Sequence, residues 1–150
     1  MEPLARIGTD RRRLDSYTYT LAVNQATLYA GYPWRFSHFR KTFGYANMPL
    51  DGLWLRAPYL HNGSVPTLDD LFRPTSERPV VWGRLLDDPA AYDRERVGLA
   101  HEEITVSQYE SLVAAAEGQG PASEAALEAR RFYPTTEFGR SAAGHDYGTA

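Results

Sequence analysis

Apolar and polar positions along the chain fall into regimes that change about every thirty residues. Leu14, Tyr17 and Leu21 recur at helical spacing, Thr9 and Asp10 stand where an N-terminal cap is needed, and the Gly31 to Pro33 turn closes the stretch. A cap oxygen accepts from the orphan N–H groups of the first turn, so the pattern predicts a helix over about 11–23. From Tyr32 to Pro66 aromatic residues, arginines and glycines alternate with neither period 2 nor period 3.6 sustained. Such a stretch wraps around other groups more readily than it forms a regular layer. Helical signals return at Thr67, where a hydroxyl and the carboxylates of Asp69 and Asp70 suit the positive end of a short helix that Pro74 must close. Residues 73–97 are rich in proline and charge and read as loop. Tyr109, Leu112, Val113 and Ala116 form the stripe of a surface helix over 104–117 ending at Gly118, and alanine-rich 123–131 predicts another.

The expected fold class is therefore mostly α and loop-rich. With 150 residues and a hydrophobic fraction of 43%, the chain suits one domain over 1–150. A net charge of −3 supplies no basic field to collect nucleic acid. No apolar run approaches a membrane span, and Met1 to Arg13 lacks the apolar centre of a secretory signal. The chain has no cysteine, which rules out disulfides, thiolate metal sites, cysteine nucleophiles and thioether-linked cofactors on it. Lys41 is its single lysine, so chemistry built on an amine has one candidate. Metalloprotease, hydrolase-elbow, phosphate-loop and EF-hand spacings are absent.

Chemistry then rests on four histidines. His61 lies in APYLHNGSVPTL, where Pro58 restricts the chain before it and Asn62 and Gly63 supply turn geometry. His145 follows Gly144 and precedes Asp146 and Tyr147; a neighbouring carboxylate can fix the ring orientation and tautomer that metal-ligating histidines require. His101, in the acidic run HEE, reads as a solvated residue near a helix start, and His38, between Phe36 and Phe39, as a packed or partly buried one. The adjacent carboxylates Asp87 and Asp88, or Glu102 and Glu103, read as hydrated surface groups. His61, His145 and a carboxylate together would make a zinc site. The segment Tyr32 to Tyr59 suits a flat apolar ligand with acidic edges, its faces met by Trp34 and neighbouring rings and its carboxylates by Arg35, Arg40, Lys41 or Arg56. Haem has that shape; an aromatic core with arginines reaching outward has the same composition.

PLDGLWLRAPYLHNGSVPTLDDL, residues 49–71, resembles the segment found in the C-terminal haem domain of di-haem c-type cytochromes, the bacterial cytochrome c peroxidase group and more closely its rubber-oxygenase-like branch. The likeness extends back through IGTDRRRLDSYT and YPWRFSHFRKT and returns at AAGHDYGT, with residues 85–131 outside it as an insertion. That resemblance implies a mostly helical cytochrome c fold in the periplasm, with haem iron used for electron transfer, peroxide reduction or oxygen-dependent cleavage. By the same resemblance His61, Tyr59, Asn62, Arg56 and Trp34 belong to the haem pocket. His145 is then the candidate axial iron ligand and His61 the second candidate; Met48 precedes the loop and no methionine follows His61, so no methionine ligand is carried over. The family attaches haem through C-x-x-C-H, which this chain lacks. The expectation is a C-terminal piece of a longer or split cytochrome, its anchor and proximal histidine on an upstream segment or a partner chain, and its start at a capping region and end after GHDYGTA favour that. Enzymatic activity, peroxidase- or dioxygenase-like, would require that partner. Non-covalent haem binding and a haem-free interaction module that keeps the scaffold are the alternatives.

Overall fold

Two threonines separate the observed N-terminal region from the expected one. The computed structural model describes residues 2–35, 38, 40–46, 49–85 and 91–144. The chain opens with β1 (Glu2–Pro3) and α1 (Leu4–Ile7), and then forms two helices where a single one is expected over 11–23, α2 (Arg12–Ser16) and α3 (Tyr19–Leu28). The Ser16 hydroxyl donates back to the Arg13 carbonyl at 2.8 Å, and Thr18 Oγ1 accepts the Leu21 N–H at 3.2 Å. These side chains compete with the helix and restart it. Thr9 is not a cap. Asp10 Oδ1 takes the Arg12 N–H at 2.8 Å, and the Thr9 side chain turns elsewhere. β1 pairs antiparallel with β2 (Gly44–Tyr45), Glu2 opposite Tyr45.

The expectation of a mostly α protein is corrected: among the described residues the fold is mixed, with six helices and seven short strands. After a 3-10 turn (Leu53–Leu55), α4 (Leu68–Leu71) starts as predicted, with Thr67 Oγ1 accepting the Asp70 N–H at 3.1 Å. Residues expected as loop or insertion then supply two strands of a three-stranded antiparallel sheet. β3 (Val81–Arg84) is its centre, and a small ladder of β4 (Tyr92–Asp93) with β5 (Gly98–Leu99) precedes the edge strand β6 (His101–Glu103). α5 (Val106–Ala116) and α6 (Glu124–Arg131) stand where their stripes predict, and β7 (Phe132–Pro134) completes the order β6-β3-β7. Val81, Trp82 and Gly83 are all buried, so β3 shows none of the alternation that marks a half-exposed strand. Among the described residues no helix is long and apolar enough to cross a membrane.

The core is built on the histidine-bearing stretch itself. Tyr59, Val65 and Ala142 are its buried centre, with Leu53, Leu60, Leu68 and Leu71 packed against them, and Ser64, Val65, Pro66 and Thr67 are fully enclosed. Connecting segments normally stay at the surface because their backbone polar groups need water. This one is inside, so every polar group in it needs a protein partner.

Candidate functional site

Tyr59 and Val65 close the histidine loop by pairing their backbones, at 2.6 Å from the Tyr59 N–H to the Val65 carbonyl and 3.4 Å in return. Inside it Leu60 and Gly63 take left-handed φ values of 62° and 70°, and Asn62 Oδ1 accepts the Ser64 N–H at 3.2 Å. The Ala57–Pro58 bond entering the loop is cis. The Tyr59 hydroxyl donates to the Val97 carbonyl at 3.0 Å, and burial pushes its phenol pKa up. From the sheet, Trp82 Nε1 donates to the Ser64 carbonyl at 2.9 Å and the Tyr133 hydroxyl to the Asn62 carbonyl at 2.8 Å, with the two rings stacked 5.7 Å apart. From the far end of the chain, the Ser141 carbonyl accepts from Asn62 Nδ2 at 2.8 Å and from Ser64 Oγ at 3.1 Å. Buried Arg78 fastens the next residues, donating to the Ala142 and Gly144 carbonyls at 2.5 and 2.8 Å and to those of Leu71 and Arg73 at 3.0 and 3.1 Å. The loop is thus satisfied partly by its own backbone and partly by side chains and carbonyls distant in sequence.

On its outer side the loop presents His61. The ring lies flat against Tyr45, centroids 3.8 Å apart and planes 14° from parallel, and His61 Nε2 shares a hydrogen bond with Thr9 Oγ1 at 3.0 Å. Burial pushes the Tyr45 phenol pKa up, against a smaller opposing influence of Arg13. Next to this pair is a cleft of about 630 Å³ whose walls include Tyr45, Leu50, Leu53, Arg56, Tyr59 and His61, with Glu2 and Arg6 at one side. That volume is within the roughly 300–1,000 Å³ range of cofactor and small-molecule sites, and a mainly apolar lining with few polar groups is their usual make-up. Arg6 is paired with Glu2 at 3.0 Å, whereas Arg56 has no ion pair among the described residues.

The structure therefore brings His61, Tyr59 and Arg56 to one cleft. Asn62 faces away from it and serves as the loop's fastening to residues 139–141. Trp34 stacks on Tyr32 at 4.7 Å and lies 5.1 Å from Tyr29, in an exposed aromatic cluster outside the cleft lining. Arg35 donates to the Ala30 carbonyl at 3.1 Å, and Arg40 and Lys41 are exposed. His145, Asp146 and Tyr147, and the carboxylates Asp87 and Asp88, fall outside the described residues. Gly144, just before His145, packs on Thr9 so closely that a Cβ would stand 2.7 Å from the Thr9 Cα.

Two histidines differ from expectation. His38 is exposed rather than packed. His101 is enclosed rather than solvated, with 3% of its side chain exposed: its Nδ1 lies 2.9 Å from the Leu99 carbonyl and its Nε2 4.0 Å from Asp70 Oδ2. Asp70 is itself fully buried, held by Thr67 Oγ1 and paired with Arg96. Sequence reasoning missed this cluster because Asp70 sits where a helix-start carboxylate is expected and Arg96 lies 26 residues on. It also missed Thr9 and Tyr45; the position of Thr9 before a polar run suited a cap. Among the described residues, no group of three or more histidine, aspartate or glutamate side chains is arranged to hold a metal ion.

Residues 44–83 match the family described as RoxA-like, cytochrome c-like. The match runs from β2 through the cleft wall and the histidine loop into β3. Over 96 residues, 64% of its length, the chain is 33% identical to "Uncharacterized protein y4iJ" of Sinorhizobium fredii, and over 55 residues, 37% of its length, 51% identical to "Uncharacterized protein y4iM" of the same organism. It spans 15% and 12% of those two proteins. A cytochrome c-like segment of the RoxA-like kind thus occupies the part of the chain that carries His61.

Proposed function

We propose that the chain forms one wall of a haem pocket in a larger RoxA-like cytochrome and takes part in electron transfer or in oxidoreductase chemistry of the peroxidase or dioxygenase kind. The supporting observation is the cleft of about 630 Å³ that joins His61, Tyr59 and Arg56 within the cytochrome c-like segment. Its residues suit the group. Leu50, Leu53, Pro58 and Leu60 offer an apolar surface to a flat face, while Arg56 offers its guanidinium group to a carboxylate through charge-assisted bonds. With no cysteine in the chain, the covalent anchor and the proximal histidine come from an upstream segment or a partner chain. His145 is the candidate iron ligand that the resemblance implies; in its favour, Gly144 just before it is held by Arg78 through its carbonyl and packs closely on Thr9, which bonds His61. Bound haem would supply the iron redox chemistry; this chain would supply shape, cations and imidazoles. The periplasm is the compartment that goes with this assignment.

Purified protein titrated with haemin should give a Soret band that sharpens and shifts on ligation. His145→Ala should weaken that change more than His61→Ala, and Arg56→Gln should raise the apparent Kd by about three- to tenfold, the loss of roughly one charge-assisted contact. A flat titration favours the other class of function, a haem-free interaction module. That alternative draws on exposed apolar side chains: Leu50 of the cleft wall, 77% exposed, and Trp54 and Leu55 next to Leu53 in the chain, 55% and 66% exposed.

A further inference from the structure

Nineteen consecutive residues, 16–34, carry no charged side chain, yet most of them lie at the surface. Within them α3 buries only Ala22, and its Tyr19 and Leu28 are 85% and 70% exposed. Nothing in the helix itself makes up for that. Its ten residues include the poor helix formers Thr20, Val23, Asn24 and Thr27, with no acidic group in the first turn and no basic group in the last. A helix that short is marginal in water unless a face of it is covered. The turn that follows is exposed as well: Trp34, 60% exposed, stacks on Tyr32 with ring centroids 4.7 Å apart. Charge resumes on both sides of the neutral span, and nearly all of it is positive. Residues 11–45 hold six arginine and lysine side chains against the single carboxylate of Asp15, although the whole chain has 16 such cations and 19 carboxylates. Arg11 is paired with Asp15, whereas Arg13, Arg35, Arg40 and Lys41 make no ion pair among the described residues.

We infer that α3 and the aromatic turn after it seat on the surface of a lipid bilayer that carries anionic headgroups. Tyrosine and tryptophan join an apolar ring to a polar tip and collect at headgroup depth, while leucine and valine beside them reach the acyl boundary. The flanking cations then meet lipid phosphate, each worth about fivefold in binding near an anionic surface. One occupant thus answers both features, the uncharged span and its positive borders. A two-fold pair of copies would cover the span but bring the same cations face to face. The helix lies on the membrane and does not cross it, being ten residues long. None of these side chains lines the cleft at His61, so the inference stands apart from the haem pocket.

Co-sedimentation of the purified chain with vesicles of phosphatidylcholine, alone and mixed with phosphatidylglycerol, tests the seat. The chain should partition onto the mixed vesicles, only weakly onto phosphatidylcholine, and be released by added salt. Lys41→Gln should weaken the partition about fivefold, and Leu28→Glu at least about tenfold. Both side chains are exposed, so neither change disturbs the core, and circular dichroism checks that each variant is folded. Trp34 emission, taken as the difference between the unaltered protein and Trp34→Phe, should shift to the blue on the mixed vesicles. Absence of partition onto mixed vesicles overturns the inference, and this arm needs no variant to fold. So does partition that folded Leu28→Glu and Lys41→Gln proteins leave unchanged, or, in place of partition, a dimer that Leu28→Glu dissociates.

Discussion

Arg78 has its charged group inside the protein, 3% exposed, and spends its donors on backbone carbonyls from two separate segments. A planar fork of five N–H groups can reach Leu71, Arg73, Ala142 and Gly144 at once; an ammonium at the end of a lysine cannot. Arg78→Lys should therefore leave carbonyls unpaired in the interior and lower stability by about 2–4 kcal/mol, each such group costing roughly 1–3 kcal/mol. Urea denaturation followed by circular dichroism measures the change. A loss under about 0.5 kcal/mol, the usual size of a surface substitution, would mean that the carbonyls find water instead.

At the scale of elements, the start of α4 was legible because Thr67 and the carboxylates after it have one local use, and α5 was legible from its apolar stripe, whereas the cap of α5 is a finding of the structure. Thr105 before the stripe of α5 makes a capping box with Gln108, its Oγ1 accepting the Gln108 N–H at 3.2 Å while Gln108 Oε1 takes the Thr105 N–H at 2.8 Å. Thr105→Ala should cost about 1 kcal/mol and leave the helix frayed at its start, visible as faster amide exchange over residues 106–109. Thr67 and Ser123 also cap their helices, their hydroxyl oxygens accepting the N–H of Asp70 and Ala126. The three-stranded sheet was not legible. Its strands are three or four residues long, its centre is buried on both faces, and Gly83 at that centre is needed because a Cβ would meet the Phe132 ring at 2.8 Å, a contact that joins residues 49 positions apart. Thr9 shows the same limit for the site. Its local setting predicts a cap, and only the folded chain shows that a residue 52 positions away takes its hydroxyl instead. The turn at His61 was legible because proline, asparagine and glycine each act within a few residues; its burial was not, since groups that satisfy it come from 18 to 79 positions away.

At the scale of the molecule, four phenols among the described residues are raised in pKa with burial as the largest cause: Tyr45, Tyr59, Tyr109 and Tyr133. They belong to the cleft wall, the core, α5 and the sheet, so their titration reports on all of these regions together. Unfolded phenols ionise near pH 10, and the folded ones hold their protons to higher pH. Between those values the unfolded chain binds fewer protons than the folded one, so stability is full below about pH 10 and is lost as pH rises through the folded values. The urea midpoint should fall steadily above about pH 10; a midpoint that rose there would contradict the burial of these rings.

Translation sets an order on all this. Ser141 and Ala142, which supply acceptors to Asn62, Ser64 and Arg78, are made 64 to 79 positions after them. At synthesis rates of about 5–20 residues per second, the segment around His61 waits roughly 3–15 s for its partners. During that interval a nascent chain exposes the apolar side chains of its future centre, so a ribosome-associated chaperone has its longest opportunity at the stretch on which the candidate pocket depends.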